Sequence, residues 1–327
     1  MLLAGDVGGT KTLLGLYTSD TPRPSPVSVR RFATLEFESL GNVVARFLQD
    51  VEPSDSIRAG CFGVAGPVRD QVAQLTNIPW RVDAEAIAER FTIPRVCLIN
   101  DLVAMGHAVP YLAADEVAVL QHGESIASGN AALIAPGTGL GQALLHNVDG
   151  LFIPSPSEGG HADFAPRTSR EVELLEALTA RLGRVEYDKV VSGPGLLNIH
   201  RFVHGTETCG GVPARVSASD APALISTAAL ERRCQGCVET LDMFVSAFGS
   251  EAGNFGLRSL ATAGVYLGGG IPPKILPALQ TAIFLDAFRS KAPMDNLMAK
   301  MPVAVILEPN AALLGAAVAA DRLATTE

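Results

Sequence analysis

The sequence predicts an α/β chain made of two similar half-domains, each carrying a glycine turn between two apolar strands. Residues 2–16, LLAGDVGGTKTLLGL, run apolar to Asp6, turn through Gly8 and Gly9, and resume with Leu13, Leu14 and Leu16. That is the pattern of strand, tight turn, strand. Residues 132–146, ALIAPGTGLGQALLH, repeat it about 130 residues further on, with Gly137, Thr138, Gly139 and Gly141 in the turn. Between these, the first 110 residues alternate strand and helix patterns.

The hairpins set the chemistry to look for. Adjacent glycines let the backbone adopt positive φ and let several N–H groups face one concavity, which suits a phosphate. Thr10 and Lys11 add a hydroxyl and a cation beside the first turn, and Asp6 is placed to hold a hydrated metal ion that accompanies the phosphates. Two such turns imply one nucleotide, with a hairpin at each end of its phosphate chain. A P-loop is excluded because Thr10 stands where glycine is required. A dinucleotide fingerprint is excluded because residues 12–16 have no helical period.

Taken in order, 27–35 reads as a third strand and 40–51 as an amphipathic helix. Residues 57–66, IRAGCFGVAG, form a buried strand ending in glycine, and 72–76 its short hairpin partner. Asp83 is an N-cap for a helix through Arg90, 95–100 is a buried strand, and the helix from Asp101 stops at Pro110. Open sheets gather ligands at the carboxyl ends of strands, so Gly66, Asn100 and Asp101 are expected near the first turn. The second half begins near Tyr111. After its hairpin come the loop SEGGHADFAP at 157–166, a capping box of Thr168 and Glu171, and a turn VVSGPG at 190–195. Residues 228–248 read as helical, VYLGGG at 265–270 as a strand entering three glycines, 303–307 as a last strand, and Asn310 as the cap of a final apolar helix. That helix suits packing back on the first domain.

Composition narrows the function. The chain has 327 residues, 48% of them apolar, enough for two full cores. With 25 basic and 34 acidic residues, a net of −9 and no basic patch, nucleic acid is not the expected partner. Asp6 interrupts the start before a signal peptide can form, and the apolar run 311–320 is too short to span a bilayer. The expectation is a cytoplasmic protein with a small-molecule site. Five scattered cysteines argue against a disulfide framework, and Cys234 with Cys237, lacking a second pair nearby, read as two thiols on or beside a helix.

The polar residues at strand ends carry the chemistry. Asp101 is either a proton acceptor in phosphoryl transfer or a helix N-cap, or both. Glu158 and His161 flank Gly159-Gly160 in a loop that offers an acceptor and a mixed donor and acceptor, the set that sugar hydroxyls need. A zinc reading of His161 with Asp163 lacks further ligands at the right spacing, and Asp163 instead suits tying down the loop.

These segments together resemble the bacterial glucokinase family of the hexokinase, actin and Hsp70 superfamily. The matching stretches are GDVGGTK at 5–11, LTN at 75–77 with Trp80, LINDL at 98–102, APGTGLG at 135–141, SEGGHADFAP at 157–166, VVSGPGLLNIHR at 190–201 and YLGGGIPP at 266–273. They span nearly the whole chain. The resemblance implies a two-domain actin-like ATPase (ribonuclease H-like) α/β fold with a mixed sheet and flanking helices in each domain. It implies a smaller domain of 1–110 with 310–327, a larger one of 111–309, and an active site in the cleft between them. Asp101 is then the general base on the glucose 6-hydroxyl, with Asn100, Asp101, Glu158 and His161 on the other hydroxyls. Gly5, Asp6, Val7, Gly8, Gly9, Thr10 and Lys11 contact ATP phosphates together with Gly137, Thr138 and Gly139. Gly268, Gly269 and Gly270 line the adenosine pocket, and Asp6 holds Mg2+ through water. The family often has a glutamate before the SGPG turn as a further sugar ligand; Asp188 stands there, with Glu186 two residues earlier, and Asp188 is the expected contact. A homodimer is implied as well.

Three rivals use similar features. A kinase for another hexose or amino sugar shares the scaffold. A sugar-responsive repressor needs a DNA-binding segment for which 1–6 leave no room. A non-sugar actin-type ATPase has no use for Glu158 and His161. The related family's zinc-binding cysteine and histidine cluster is absent, which favours the glucokinase branch.

Overall fold

The computed structural model describes residues 1–75, 78–206, 208–213 and 216–325. The Thr76 and Asn77 of the LTN segment therefore lie outside the described residues. The chain divides into two compact units: one of Met1–Ala114, Phe152–Pro156 and the chain from Glu308, the other of Asp115–Leu151 and Ser157–Leu307.

In the first unit the elements are β1 (Leu2–Val7), β2 (Lys11–Thr18), β3 (Ser25–Ala33), α1 (Leu40–Val51), β4 (Ala59–Val64), β5 (Val68–Arg69), β6 (Val72–Gln74), β7 (Arg81–Asp83), α2 (Ala84–Phe91), β8 (Val96–Asn100) and α3 (Asp101–Ala108). The main sheet has the order β3-β2-β1-β4-β8; β1 pairs antiparallel with β2 and parallel with β4, and β4 parallel with β8. Alternation decides its faces. Leu3, Val7, Leu14 and Leu16 pack under α1 and α2, where Leu40, Val43, Val44 and Phe47 recur with helical spacing. Ser39 caps α1, accepting from the Asn42 N–H at 3.3 Å, and Asp83 caps α2 as expected.

The second unit repeats the scheme with β9 (Val117–Gln121), β10 (Ala131–Pro136) and β11 (Leu140–Val148). Strand β12 (Leu151–Ser157) follows, its residues 152–156 grouping with the first unit. Then come α4 (Ser169–Leu182), α5 (Gly193–His204), α6 (Ala221–Leu230), α7 (Gln235–Ser259), β13 (Gly264–Leu267), α8 (Leu276–Leu279), α9 (Ala282–Arg289), α10 (Asp295–Lys300) and β14 (Val303–Ile306). Strands β11, β10, β13, β14 and β9 lie side by side in that order, with β10 antiparallel to β11 and parallel to β13. The hairpin strand of each unit thus sits between its antiparallel partner and a parallel neighbour, the repeat the sequence announced. The helical stretch expected over 228–248 is broken: α6 ends at Leu230 and α7 starts at Gln235, with Arg232 at φ 55° between them. After β14 the chain forms α11 (Ala311–Thr325), whose Leu313, Ala316, Ala317 and Ala320 bury against Leu2, Ala4, Ala59 and Cys61 on the other face of the first sheet.

Candidate active site

In the first unit, the turn of the β1–β2 hairpin is closed by the Gly8 N–H donating to the Lys11 carbonyl at 3.0 Å. Neither Gly8 nor Gly9 is among the glycines at positive φ. The turn is instead held open by Thr34. The Thr34 hydroxyl donates to the Gly8 carbonyl at 2.8 Å and lies 2.9 Å from the Thr12 hydroxyl, and the Thr34 N–H donates to the Thr10 carbonyl at 3.1 Å. Thr10 and Lys11 are exposed at the tip.

Asp6 and Asp101 reach the same end of the sheet. Asp6 pairs with Gly63 in the parallel β1–β4 ladder, and Val64 with Asn100 in the β4–β8 ladder, so both carboxylates stand at carboxyl ends of parallel strands flanking β4. Asn100, not Asp101, is the N-cap of α3: its side-chain oxygen accepts from Leu102 and Val103 N–H at 3.0 and 3.4 Å, and its amide donates to the Gly66 carbonyl at 3.4 Å. Asp101 is the first residue of the helix and accepts from Leu102 N–H at 2.9 Å. Burial pushes its carboxyl up to about 6; the Leu102 bond pulls the other way, and the neighbouring Asp6 adds to the rise. Burial also raises Asp6, with Lys11 drawing it back down.

In the second unit, the β10–β11 turn closes with the Gly137 N–H on the Gly139 carbonyl at 2.8 Å. Gly137 in turn accepts from Gly193 N–H, the first residue of α5, at 2.8 Å. Ser192 caps α5, accepting from Gly195 N–H at 3.0 Å while its hydroxyl donates to the Asp188 carbonyl at 2.6 Å. Gly268, Gly269 and Gly270 leave β13 beside the end of β10: Gly268 N–H donates to Ile134 at 2.9 Å, and Gly269, at φ +84°, has room for no Cβ because the Pro136 carbonyl would lie 2.6 Å from it. A Cβ at Gly137 or at Gly270 would meet nothing within 4 Å. The two glycine turns therefore border open space at adjacent strand ends.

The loop with Glu158 and His161 lies flat on β11. A Cβ at Gly160 would be 2.1 Å from the Leu140 carbonyl, and one at Gly159 would be 2.2 Å from Gln142 Oε1. The glycine pair thus lets the loop sit down and leaves the flanking side chains outward, Glu158 and His161 both largely exposed. His161 Nδ1 is 3.1 Å from Glu186 Oε1, a bond that assigns the ring proton to Nδ1 and leaves Nε2 as an acceptor. Lys189 Nζ also meets Glu186, at 3.1 Å. Burial raises the Glu186 carboxyl, but Lys189 and His161 outweigh it and hold it below the usual range. Asp163 ties the loop down as expected, through Arg184 Nε at 2.7 Å, which also donates from Nη2 to the His161 carbonyl at 2.7 Å. Asp188 Oδ1 accepts from Leu140 N–H at 2.8 Å, and its Oδ2 lies 3.2 Å from Lys189 Nζ.

Comparison with known proteins fits this geometry. The glucokinase family model matches residues 3–323. A glucokinase of Nostoc punctiforme is 38% identical over 99% of both chains, and one of Stenotrophomonas maltophilia 36% identical over 97% of this chain and 93% of its own. The chain belongs to the glucokinase family. It is a hexose kinase that phosphorylates glucose with ATP. Among solved structures, a glucokinase from an Antarctic psychrotroph is 30% identical with a TM-score of 0.86 over 98% of each chain. A glucokinase of Streptomyces griseus from the ROK family, solved with glucose and AMPPNP, shares the actin-like fold at 18% identity, TM-score 0.66, over 98% of this chain and 99% of its own.

Two residues that the structure sets beside these turns and loops escaped sequence reasoning. Thr34 follows a strand with no spacing signal, and only the fold places it behind Gly8. Glu186 meets the His161 ring through a contact that counting back from the SGPG turn, which points to Asp188, does not reveal.

Proposed function

We propose that this glucokinase transfers the γ-phosphoryl group of ATP in line to the 6-hydroxyl of glucose, with Asp101 accepting the hydroxyl proton. The observation that carries the reading is the Asp101 carboxyl at the end of β8, raised to about 6 by burial, so that it is ionised at neutral pH and still basic enough to take a proton. Asn100, Glu158 and His161 hold the remaining hydroxyls, His161 accepting at Nε2.

Glu186 is the carboxylate behind His161, and Asp188 the one behind the phosphate turn. An aspartate ends one methylene short of a glutamate, and at this position the shorter reach fits the Leu140 N–H. Backbone N–H groups of 5–11 and of 137–139 cradle the phosphates, and 268–270 border the adenosine. Asp6 offers one hard oxygen donor, which suits Mg2+ bound mainly through its waters. When bound, Mg2+ neutralises charge on the phosphates. The resemblance further supports a cytoplasmic homodimer, and sedimentation of the purified protein tests the subunit count. No helix among the described residues is long and apolar enough to cross a membrane.

The test is ADP production from MgATP with and without glucose, beside mannose, fructose and N-acetylglucosamine. Turnover dependent on glucose supports the reading; equal turnover without sugar, or only with another sugar, overturns it. Asp101→Asn is expected to lower kcat at least about 100-fold with the fold kept.

A further inference from the structure

Away from the reaction, the second unit gathers five soft ligands that the family site does not use. His200 and His204 lie four apart on α5, their rings stacked with centroids 4.0 Å apart. Cys209 arrives on the loop beyond α5, Cys234 caps α7, and Cys237 is in the first turn of that helix. The ligand atoms of His200, His204, Cys209 and Cys237 all lie within 4.8 Å of one another. The partners that the Cys234–Cys237 pair lacks in sequence are therefore supplied by the fold.

We propose that His200, His204, Cys209 and Cys237 form a tetrahedral site for a divalent transition metal, with Zn2+ as the ion that their donor set selects. Bond lengths of about 2.3 Å to sulfur and about 2.0 Å to nitrogen give a tetrahedron with edges of roughly 3.3–3.8 Å. Cys209 Sγ is 3.5 Å from Cys237 Sγ and 3.5 Å from His200 Nε2, which are edges of that size. The outer contacts are those of ligands. His204 Nδ1 is 3.1 Å from the His200 carbonyl, which fixes the proton there and leaves Nε2, 3.4 Å from Cys234 Sγ, as the acceptor, and Gly211 N–H donates to Cys209 Sγ at 3.3 Å. His200 is fully buried, with Nε2 toward Cys209 and Nδ1 unpartnered. Gly236 leaves the space the His204 ring enters, since a Cβ there would lie 2.5 Å from Nε2. Two thiolates and two neutral imidazoles balance a 2+ ion, so binding buries no net charge and releases two thiol protons to solvent. The ion would tie the end of α5 to the start of α7, while the other end of α5 meets the Gly137 turn.

The full chain, purified under reducing conditions without chelator, is expected to carry about one zinc per chain by plasma mass spectrometry. Metal-stripped, reduced protein titrated with Co2+ is expected to give the intense visible bands of tetrahedral Co2+ and a near-ultraviolet thiolate charge-transfer band, saturating near one equivalent and abolished by Zn2+. Cys237→Ser and His200→Ala are expected to weaken Co2+ binding at least about tenfold, whereas Cys234→Ser keeps it. Absence of that spectrum in the reduced wild-type chain, with Cys209 and Cys237 instead closing a disulfide in air, overturns the proposal. So does a spectrum unchanged in Cys237→Ser. The wild-type titration decides even where a variant does not fold.

Discussion

Asp101 is asked to be two things at once, a buried carboxylate and a proton acceptor, and the conflict is measurable. A carboxyl raised from 3.8 to about 6 binds protons more readily folded than unfolded. Its contribution to stability is therefore full below pH 4 and is lost as pH rises through about 6, so that at pH 7.5 the ionised side chain costs about 1–3 kcal/mol. Asp101→Asn, which still accepts from Leu102, is expected to raise Tm at pH 7.5 while kcat collapses, and to show no gain near pH 4. In the wild type, kcat/KM is expected to fall with decreasing pH through an acid limb near 6. An unchanged Tm at pH 7.5 would remove burial as the cause of the raised value. The acid pair behind the second turn separates in the same manner. Glu186→Ala frees the His161 ring and is expected to raise the glucose KM about tenfold, and Asp188→Ala, releasing Leu140, to raise the ATP KM instead. Steady-state kinetics with each substrate varied in turn checks both, and effects on the opposite substrates would exchange the two roles.

At the scale of elements, each hairpin depends on a side chain that lies beyond it. Thr34 is wholly buried and bonds Gly8, Thr10 and Thr12 at once. Thr34→Val keeps shape and volume but leaves the Gly8 carbonyl and the Thr12 hydroxyl without that hydroxyl, and is expected to cost about 1–3 kcal/mol in urea unfolding and to raise the ATP KM with little change for glucose. A wild-type ATP KM would mean the turn holds its form unaided. This division also marks what the sequence could convey. Strand, turn and strand were legible around Gly8 and Gly137, because period-two apolar residues and glycine pairs are local signals. The cap of α2 by Asp83 follows from local chemistry as well. Thr34, Glu186 and the His200–Cys237 group depend on contacts made across many residues, which no spacing encodes. The break at Arg232 was hidden for the opposite reason: residues 231–234 hold neither glycine nor proline, and nothing in composition reveals a left-handed residue.

For the whole molecule, the decisive economy is that α11, made last, completes the unit made first. Its Gly315 faces α3, which lies close against it: a Cβ at Gly315 would fall 1.7 Å from the Ala104 carbonyl oxygen and 2.7 Å from its carbon. Those are backbone atoms, so no rotamer change can yield the space. The opposing helix would have to move, and α3 begins with Asp101 directly after the Asn100 cap. Gly315→Ala would ordinarily favour a helix by about 1 kcal/mol. Here it is expected to destabilise by about 1–3 kcal/mol from overpacking, and to lower kcat more than it alters either KM, because shifting α3 displaces the base while the Glu158–His161 loop belongs to the other unit. Urea unfolding and steady-state kinetics on the same preparation measure both. A variant as stable and as fast as the wild type would show that the α3–α11 crossing yields, and that Asp101 is positioned by its sheet strand alone.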